Sequence, residues 1–368
     1  SAMKRVGSAL CGSGSRCVGC GVRSSAVKEK AMKYLAFGEI MLRLKSVGQE
    51  RLFQSPMLEA TFGGSEANAA ISMANYGLDV GFLSALPLNA VGQACAGELR
   101  RFGVDTSRIL WKEGRMGVYY MEPGANQLPA RVIYDRADSA MALTGPGEID
   151  WDHAFQGVSW FHITGITPGI SRQALELTLE GARTAQRKGI TVSCDYNYRD
   201  ALWKYGCSAE SAMRELTDSV NVLLASEFDM LRTFDLPKPD SDRPEERCRI
   251  LGDQLMEQCP NLHTVASTLR EVHSADCNGW SACLNCRGTF YTSKKYEIGH
   301  IVDRIGAGDA FIGALVYGLE HYGPGQQALE FATAAACLKH SIVGDYNRLS
   351  AQAVEALAFG GSDGRISR

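Results

Sequence analysis

A chain of 368 residues with 45% apolar and 21% charged side chains can bury a large core, which excludes a disordered or fibrous protein. Thirty-eight basic against 41 acidic residues leave a formal charge of −3, so no overall basic field is present to hold nucleic acid or an anionic membrane. No run of about 18 apolar residues marks a membrane span, and the expected partner is a small molecule.

Residues 1–31 show neither helical nor strand periodicity and read as a disordered leader or tag remnant, with Ser1-Ala2-Met3 as a cleavage scar and Met32 as a native start. Gly12, Ser13, Gly14, Ser15 and Arg16 interrupt any apolar stretch that a secretory signal would need, so the expected location is the cytoplasm. Cys17 with Cys20 and Cys283 with Cys286 have two-residue spacing, but the pairs lie far apart, and the remaining cysteines sit singly in apolar runs as reduced core thiols would.

From Lys33 onward, strand-like runs alternate with helix-period segments, the pattern of a mostly parallel sheet between two helical layers. The strands are expected at Tyr34–Leu44, Val80–Ala85, Trp160–Thr164, Thr191–Asp195, Val220–Ala225, Thr264–Ser267 and Trp280–Leu284. The helices are expected at Ser65–Tyr76, Ala90–Phe102, Arg172–Lys188, Glu245–Gln258, Ala307–Glu320 and Gly325–His340. Two stretches, about residues 45–62 and 111–135, break the rhythm with short alternating runs and are expected to form a small β-sheet lid over one edge. The main domain is taken as residues 32–348 and residues 349–368 as a C-terminal tail.

The sharpest local signal is Asp303-Arg304-Ile305-Gly306-Ala307-Gly308-Asp309, which opens a strongly helical segment. Its glycines permit a tight turn, and the first amides of the helix lack intrahelical acceptors, which suits an anion. Taken alone, the same segment reads equally well as a glycine turn with an acid favoured by the helix dipole. A second glycine pair, Gly63-Gly64, precedes a helix that carries Asn68, whose amide can both donate to and accept from a hydroxylated ligand; close helix-to-sheet packing is the alternative reading. His162 lies inside an apolar strand and reads as a satisfied core histidine. Neither a Gly-x-x-x-x-Gly-Lys phosphate loop, nor His-Glu-x-x-His, nor Gly-x-Gly-x-x-Gly after a strand occurs.

Together, Gly63-Gly64 with Asn68 and Gly306-Ala307-Gly308-Asp309 resemble the two signatures of the ribokinase-like (PfkB) carbohydrate kinases. The segments Tyr134-Asp135-Arg136, Phe161 to Pro168 and Asp195 to Arg199 are similar to those of the 2-keto-3-deoxygluconate kinases of that family. The resemblance implies a three-layer α/β/α sandwich with a lid. It implies ATP-dependent phosphorylation of 2-keto-3-deoxygluconate to its 6-phosphate, with other sugars (fructose, ribose, 5-dehydro-2-deoxygluconate) or a non-catalytic sugar sensor as alternatives. In this chain Asp309 would be the general base and Gly306, Ala307 and Gly308 the anion hole. Gly64, Asn68, Tyr119, Tyr134, Arg136 and Arg199 would hold the sugar acid, the two arginines pairing with its carboxylate. Asn197, Ser226, Thr268, Arg270, Gly306, Gly308, Thr333 and His340 would contact the nucleotide, and Asp229 and Glu227 would support Mg2+. Here Ser226-Glu227-Phe228-Asp229 departs from the family's Asn-x-x-Glu, and Arg304-Ile305 replaces two threonines found in many relatives, which leaves a monovalent-cation cofactor open. A homodimer formed through the apolar lid ribbons is also expected.

Overall fold

The computed structural model describes residues 33–360; the expected leader at residues 1–31 lies outside them. In chain order the first half runs β1 (Tyr34–Phe37), β2 (Met41–Ser46), β3 (Leu58–Gly63), α1 (Ser65–Asn75), β4 (Val80–Leu83), β5 (Ala85–Pro87), α2 (Ala90–Arg101), β6 (Leu110–Lys112), β7 (Val118–Glu122), β8 (Arg131–Asp135), α3 (Trp151–Ala154) and β9 (Trp160–Thr164). The second half runs α4 (Arg172–Arg187), β10 (Thr191–Asp195), α5 (Ala209–Thr217), β11 (Val222–Leu224), α6 (Glu227–Phe234), α7 (Pro244–Gln258), β12 (Thr264–Val272), β13 (Asn278–Cys286), β14 (Thr289–Thr292), β15 (Tyr296–Ile298), α8 (Ala307–His321), α9 (Gln326–Lys339) and α10 (Ala351–Gly360).

Nine strands form the central sheet in the order β14-β13-β12-β11-β10-β9-β1-β4, with β15 also paired to β13. From β4 to β12 every pairing is parallel, and β13 to β15 are antiparallel. Side chains alternate between the two faces at the strand period. Tyr34 and Ala36 of β1 join the cluster containing Ile71, Phe311 and Phe331, whereas Leu35 and Phe37 join the cluster containing Phe161, Leu177 and Leu255. One face is therefore covered by α1, α8 and α9 and the other by α4 to α7, the three-layer arrangement expected.

The expected strand at Tyr34–Leu44 is broken. Its first part is apolar throughout and buried on both faces, while its second part, Met-Leu-Arg-Leu-Lys-Ser, alternates and leaves the core sheet. At the break, a Cβ on Gly38 would lie 2.2 Å from the Glu66 carboxyl carbon, so the chain there runs directly against the buried Glu66 side chain. The second part enters a four-stranded sheet of order β3-β2-β7-β8, which is the lid. The lid thus begins at Met41, earlier than expected, and its other half begins at Val118: Leu110–Lys112 pairs instead with Ala85–Pro87 in a separate parallel ribbon. Residues 351–360 of the expected tail form α10, which packs Val354 and Ala358 into the core beside α9.

Helices α1 and α8 approach closely because both are rich in small residues: a Cβ on Gly313 would lie 2.8 Å from the Ala69 carbonyl oxygen. That contact brings the first turn of α1 beside the first turn of α8, although more than half of the chain separates them in sequence.

Candidate active site

The carboxyl ends of the parallel strands, the first turns of α1 and α8 and the inner face of the lid enclose a cleft of about 670 Å3. Asp309, in the first turn of α8, lines it. Gly306 precedes that helix with φ of 82°, a left-handed conformation suited to glycine, and a Cβ there would lie 2.0 Å from the Asp345 carbonyl oxygen. A Cβ on Gly308 would meet nothing within 4 Å, so this residue leaves open the space in front of the helix terminus. Gly306, Gly308 and Asp309 line the cleft. Ala307 does not: it is buried, and its amide faces the Arg304 carbonyl at 3.4 Å, so the cradle rests on the amides of its neighbours.

The Asp309 carboxylate is buried and accepts hydrogen bonds from the Ser65 hydroxyl (2.5 Å) and the Asn68 side-chain amide (2.7 Å). Burial raises its pKa above the usual carboxylate value, and the bonds from Ser65 and Asn68 oppose that rise. Asn197, held at φ of 44°, lines the cleft and donates to Ser65 at 2.9 Å, which extends the chain of bonds behind the base. Asp195, which the sequence reading did not single out, ends β10 in the same cleft; burial and then the nearby Asp309 hold its pKa well above the ordinary value.

All six residues expected at the sugar end, Gly64, Asn68, Tyr119, Tyr134, Arg136 and Arg199, line the cleft. Several are already engaged. The Asn68 amide serves Asp309 through its nitrogen, and its oxygen accepts from the Gly64 amide at 3.3 Å. Gly64 itself satisfies the packing reading, since a Cβ would lie 2.2 Å from the Glu39 carbonyl oxygen. Tyr119 donates its hydroxyl to Asp345 at 2.7 Å. Arg136 is buried against Glu39, donating from Nε at 2.7 Å and pairing through Nη2, so that edge of its guanidinium is already engaged. Arg199 keeps the capacity to pair with a substrate carboxylate: it is exposed to the cleft, and its one hydrogen bond goes to the Tyr198 carbonyl.

On the nucleotide side Ser226, Thr268 and Arg270 line the cleft, with the Arg270 guanidinium over the Trp280 ring at 5.2 Å. Burial by the cleft walls, then the guanidiniums of Arg304 and Arg199, holds Arg270 below the ordinary arginine pKa. Arg199, Arg270 and Arg304 line the cleft together with Asp195, Asp229 and Asp309, and the positive charge of the three guanidiniums suits the phosphates of a polyanionic ligand. Thr333 and His340 must be corrected. Both are fully buried; Thr333 donates to the Leu329 carbonyl of its own helix, and His340 packs on Trp280 with Nδ1 at the Ala336 carbonyl. Glu227 must be corrected too, because it pairs with Arg247 at 2.8 Å and does not line the cleft. Asp229 does line it, but closes a capping box with Ser226 at the start of α6. Among the described residues no group of three acids, histidines or cysteines is arranged to hold a metal. A Mg2+ that takes most of its ligands from phosphates and water needs only one or two carboxylates, and Asp195 and Asp229 fit that smaller role.

Beneath the cradle lies a buried charge cluster that local sequence patterns do not reveal. Arg43 of lid strand β2 donates to Asp303 at 2.7 Å and pairs with Asp345, and all three side chains are at most 4% exposed. On the other flank Glu66 accepts from Thr164 and Thr167, both at 2.7 Å, while burial raises its pKa to about 7. His162 is structural: its Nδ1 lies 3.0 Å from the Ser193 hydroxyl, and burial lowers its pKa to about 4.

The pfkB family carbohydrate kinase model matches residues 32–351. A 2-dehydro-3-deoxygalactonokinase of Haloferax volcanii is 34% identical over 331 residues, which span 90% of this chain and 98% of that protein. A 5-dehydro-2-deoxygluconokinase of Geobacillus kaustophilus is 24% identical over 317 residues, 84% of this chain and 88% of that protein. The crystal structure of a 2-dehydro-3-deoxygluconokinase from Thermotoga maritima superposes with a TM-score of 0.84 at 42% identity, covering 89% of this chain and 99% of that one.

Proposed function

The chain belongs to the pfkB family of carbohydrate kinases and is a phosphotransferase acting on a sugar; on that premise we propose that it phosphorylates the terminal primary hydroxyl of 2-keto-3-deoxygluconate, with ATP as donor and Asp309 as general base. The observation that carries this reading is the buried Asp309 carboxylate, gripped by Ser65 and Asn68 at the open amino terminus of α8. A carboxylate whose pKa is raised by burial is a stronger base than an exposed one, and the two donors fix which lone pairs remain for the substrate.

In the transfer, the sugar hydroxyl gives its proton to Asp309 and its oxygen attacks the γ-phosphorus. The bond between that phosphorus and the β,γ-bridging oxygen breaks, and ADP leaves. The amides about Gly308 face the charge on the transferring group, and Arg199, Arg270 and Arg304 supply positive potential along the cleft. Mg2+, when bound with the nucleotide, supplies neutralisation of the phosphate oxygens, and Asp195 and Asp229 would hold it or its water shell. The lid keeps water, a competing acceptor, from the γ-phosphate. This reading places the enzyme in the cytoplasm as a homodimer joined through the lid, whose edge strand β8 exposes Ile133 and Tyr134; sedimentation of the wild type and Ile133→Glu tests the dimer.

The acidic character of the sugar rests on Arg199. A panel of 2-keto-3-deoxygluconate, 2-keto-3-deoxygalactonate, 5-dehydro-2-deoxygluconate, fructose and ribose is assayed by ADP release with wild type and Arg199→Ala. The expected outcome is highest kcat/KM for 2-keto-3-deoxygluconate and a loss of about 10- to 100-fold for acid sugars alone in the variant. Equal losses for fructose and the acids would remove the carboxylate from the reading.

A further inference from the structure

Lys339 ends α9 and is fully buried, yet among the described residues its ammonium has no carboxylate within ion-pair distance. Its partners are backbone carbonyls: Ile342 at 3.1 Å and Asp303 at 3.4 Å. Burial lowers its pKa, and the fields of Asp303 and Asp345 oppose that. An isolated buried cation is costly, so its place in the charge cluster explains its retention. Arg43 and Lys339 supply two positive charges against the two negative charges of Asp303 and Asp345.

The Asp303 carbonyl belongs to the loop that becomes the cradle. The carboxylate of the same residue accepts from the Ile305 amide (3.1 Å) and the Gly344 amide (3.1 Å), and its own amide donates to the His340 carbonyl (3.3 Å). Three residues later Gly306 turns the chain into α8 and Asp309. Lys339 therefore holds the remaining polar group of Asp303, its carbonyl. Backbone carbonyls that converge on one positive charge are also the ligand set that suits K+, whose hydration shell they replace.

We propose that the Lys339 ammonium is a tethered cation that holds the Asp303–Gly306 loop beneath the anion cradle, so that phosphoryl transfer in this protein needs no added monovalent cation. Lys339 is thus a positioning residue, and the inference rests on the phosphotransferase reading of the cleft. It decides the monovalent-cation question that Arg304-Ile305 leaves open in the sequence.

The test compares wild type, Lys339→Ala, which opens space for an ion, and Lys339→Met, which fills it. Each is assayed in KCl, NH4Cl and tetramethylammonium chloride at equal ionic strength, for turnover and for melting temperature. Wild-type turnover and melting temperature should be the same in all three salts within about twofold and a degree respectively. Lys339→Ala should lose about 10- to 100-fold in kcat in tetramethylammonium and recover most of it, with a raised melting temperature, in K+ or NH4+. Lys339→Met should show the loss without the recovery. Wild-type turnover that rises severalfold with K+ would overturn the proposal, as would a folded Lys339→Ala that keeps wild-type turnover or gains neither rate nor stability from K+. If Lys339→Ala does not fold in any salt, the salt dependence of wild type and of Lys339→Met decides. Absence of phosphorylated product from every sugar would instead sink the kinase substrate reading, while the melting comparison would still decide the role of Lys339.

Discussion

Replacing Arg43 by methionine removes a guanidinium that joins the lid to the loop under the active site. Arg43 is 1% exposed and faces two carboxylates, Asp303 and Asp345, which are 2% and 4% exposed. Taking one partner from a buried ion pair costs about 3–5 kcal/mol, because the stranded charge keeps its desolvation penalty. Here two carboxylates would be left with only Lys339 as counter-charge, so the upper half of that range is expected. At about 2 °C per kcal/mol for a domain of this size, the melting temperature should fall by roughly 8–10 °C. The loss is electrostatic, and Arg43→Met with Asp345→Asn should recover much of it, since a polar group remains for Tyr119 and the charge left on Asp303 stays balanced by Lys339. Function should change as well. Arg43 is in register with Tyr119 between β2 and β7, and Tyr119 bonds Asp345, so a loosened strand opens the lid. Urea denaturation at pH 7 measures the stability, and ADP release with and without sugar measures leakage to water, which should rise relative to transfer. A single variant within about 1 kcal/mol of wild type, or a double variant no better than the single, would refute the reasoning.

Two glycines at the cradle should separate folding from chemistry. Gly306→Ala places a side chain at φ of 82° and 2.0 Å from the Asp345 carbonyl oxygen, so it should cost about 2 kcal/mol or more and lower the melting temperature, whereas Gly308→Ala meets nothing within 4 Å and should melt like wild type while losing turnover and nucleotide affinity. Calorimetric titration with a nucleotide analogue and thermal melts check both. Glu66, with its pKa raised to about 7, favours the fold below the unfolded-state value near 4.5 and loses that contribution as pH rises through about 7. Glu66→Gln should therefore be more stable than wild type at pH 8, by up to about 3 kcal/mol, with the gap closing by pH 4; melts across that range decide, and an unchanged gap would contradict it.

The parts of the fold and site that were legible in sequence are those whose physics is local. The switch from Tyr-Leu-Ala-Phe to the alternating Met-Leu-Arg-Leu-Lys-Ser already marks where β1 leaves the core, although a single strand was expected there. Asp309 and its glycines are neighbours in sequence and stay neighbours in space. Asp345 and Arg43 are illegible for the opposite reason: 302 residues separate them, and nothing near either one announces its partner. Arg136 read as a free fork because Glu39, 97 residues upstream, cannot be paired with it without the fold. Thr333 and His340 sit in a helix of small apolar residues packed on all sides, and their polar atoms turn to their own helix. Asn197 lines the expected cleft, but its bond to Ser65 is illegible in sequence because it depends on how α1 is placed beside β10.

The most direct test of the central claim is turnover of Asp309→Asn on 2-keto-3-deoxygluconate with ATP and Mg2+, followed by phosphorus NMR of the product beside a thermal melt. Wild type should give the 6-phosphate. The variant should lose about 100- to 10,000-fold in kcat, with a melting temperature at pH 7 no lower than wild type because the substitution removes a buried charge whose pKa is raised. A variant that turns over within a few-fold of wild type, or one whose rate falls only in step with a collapse in stability, would contradict the role given to this carboxylate.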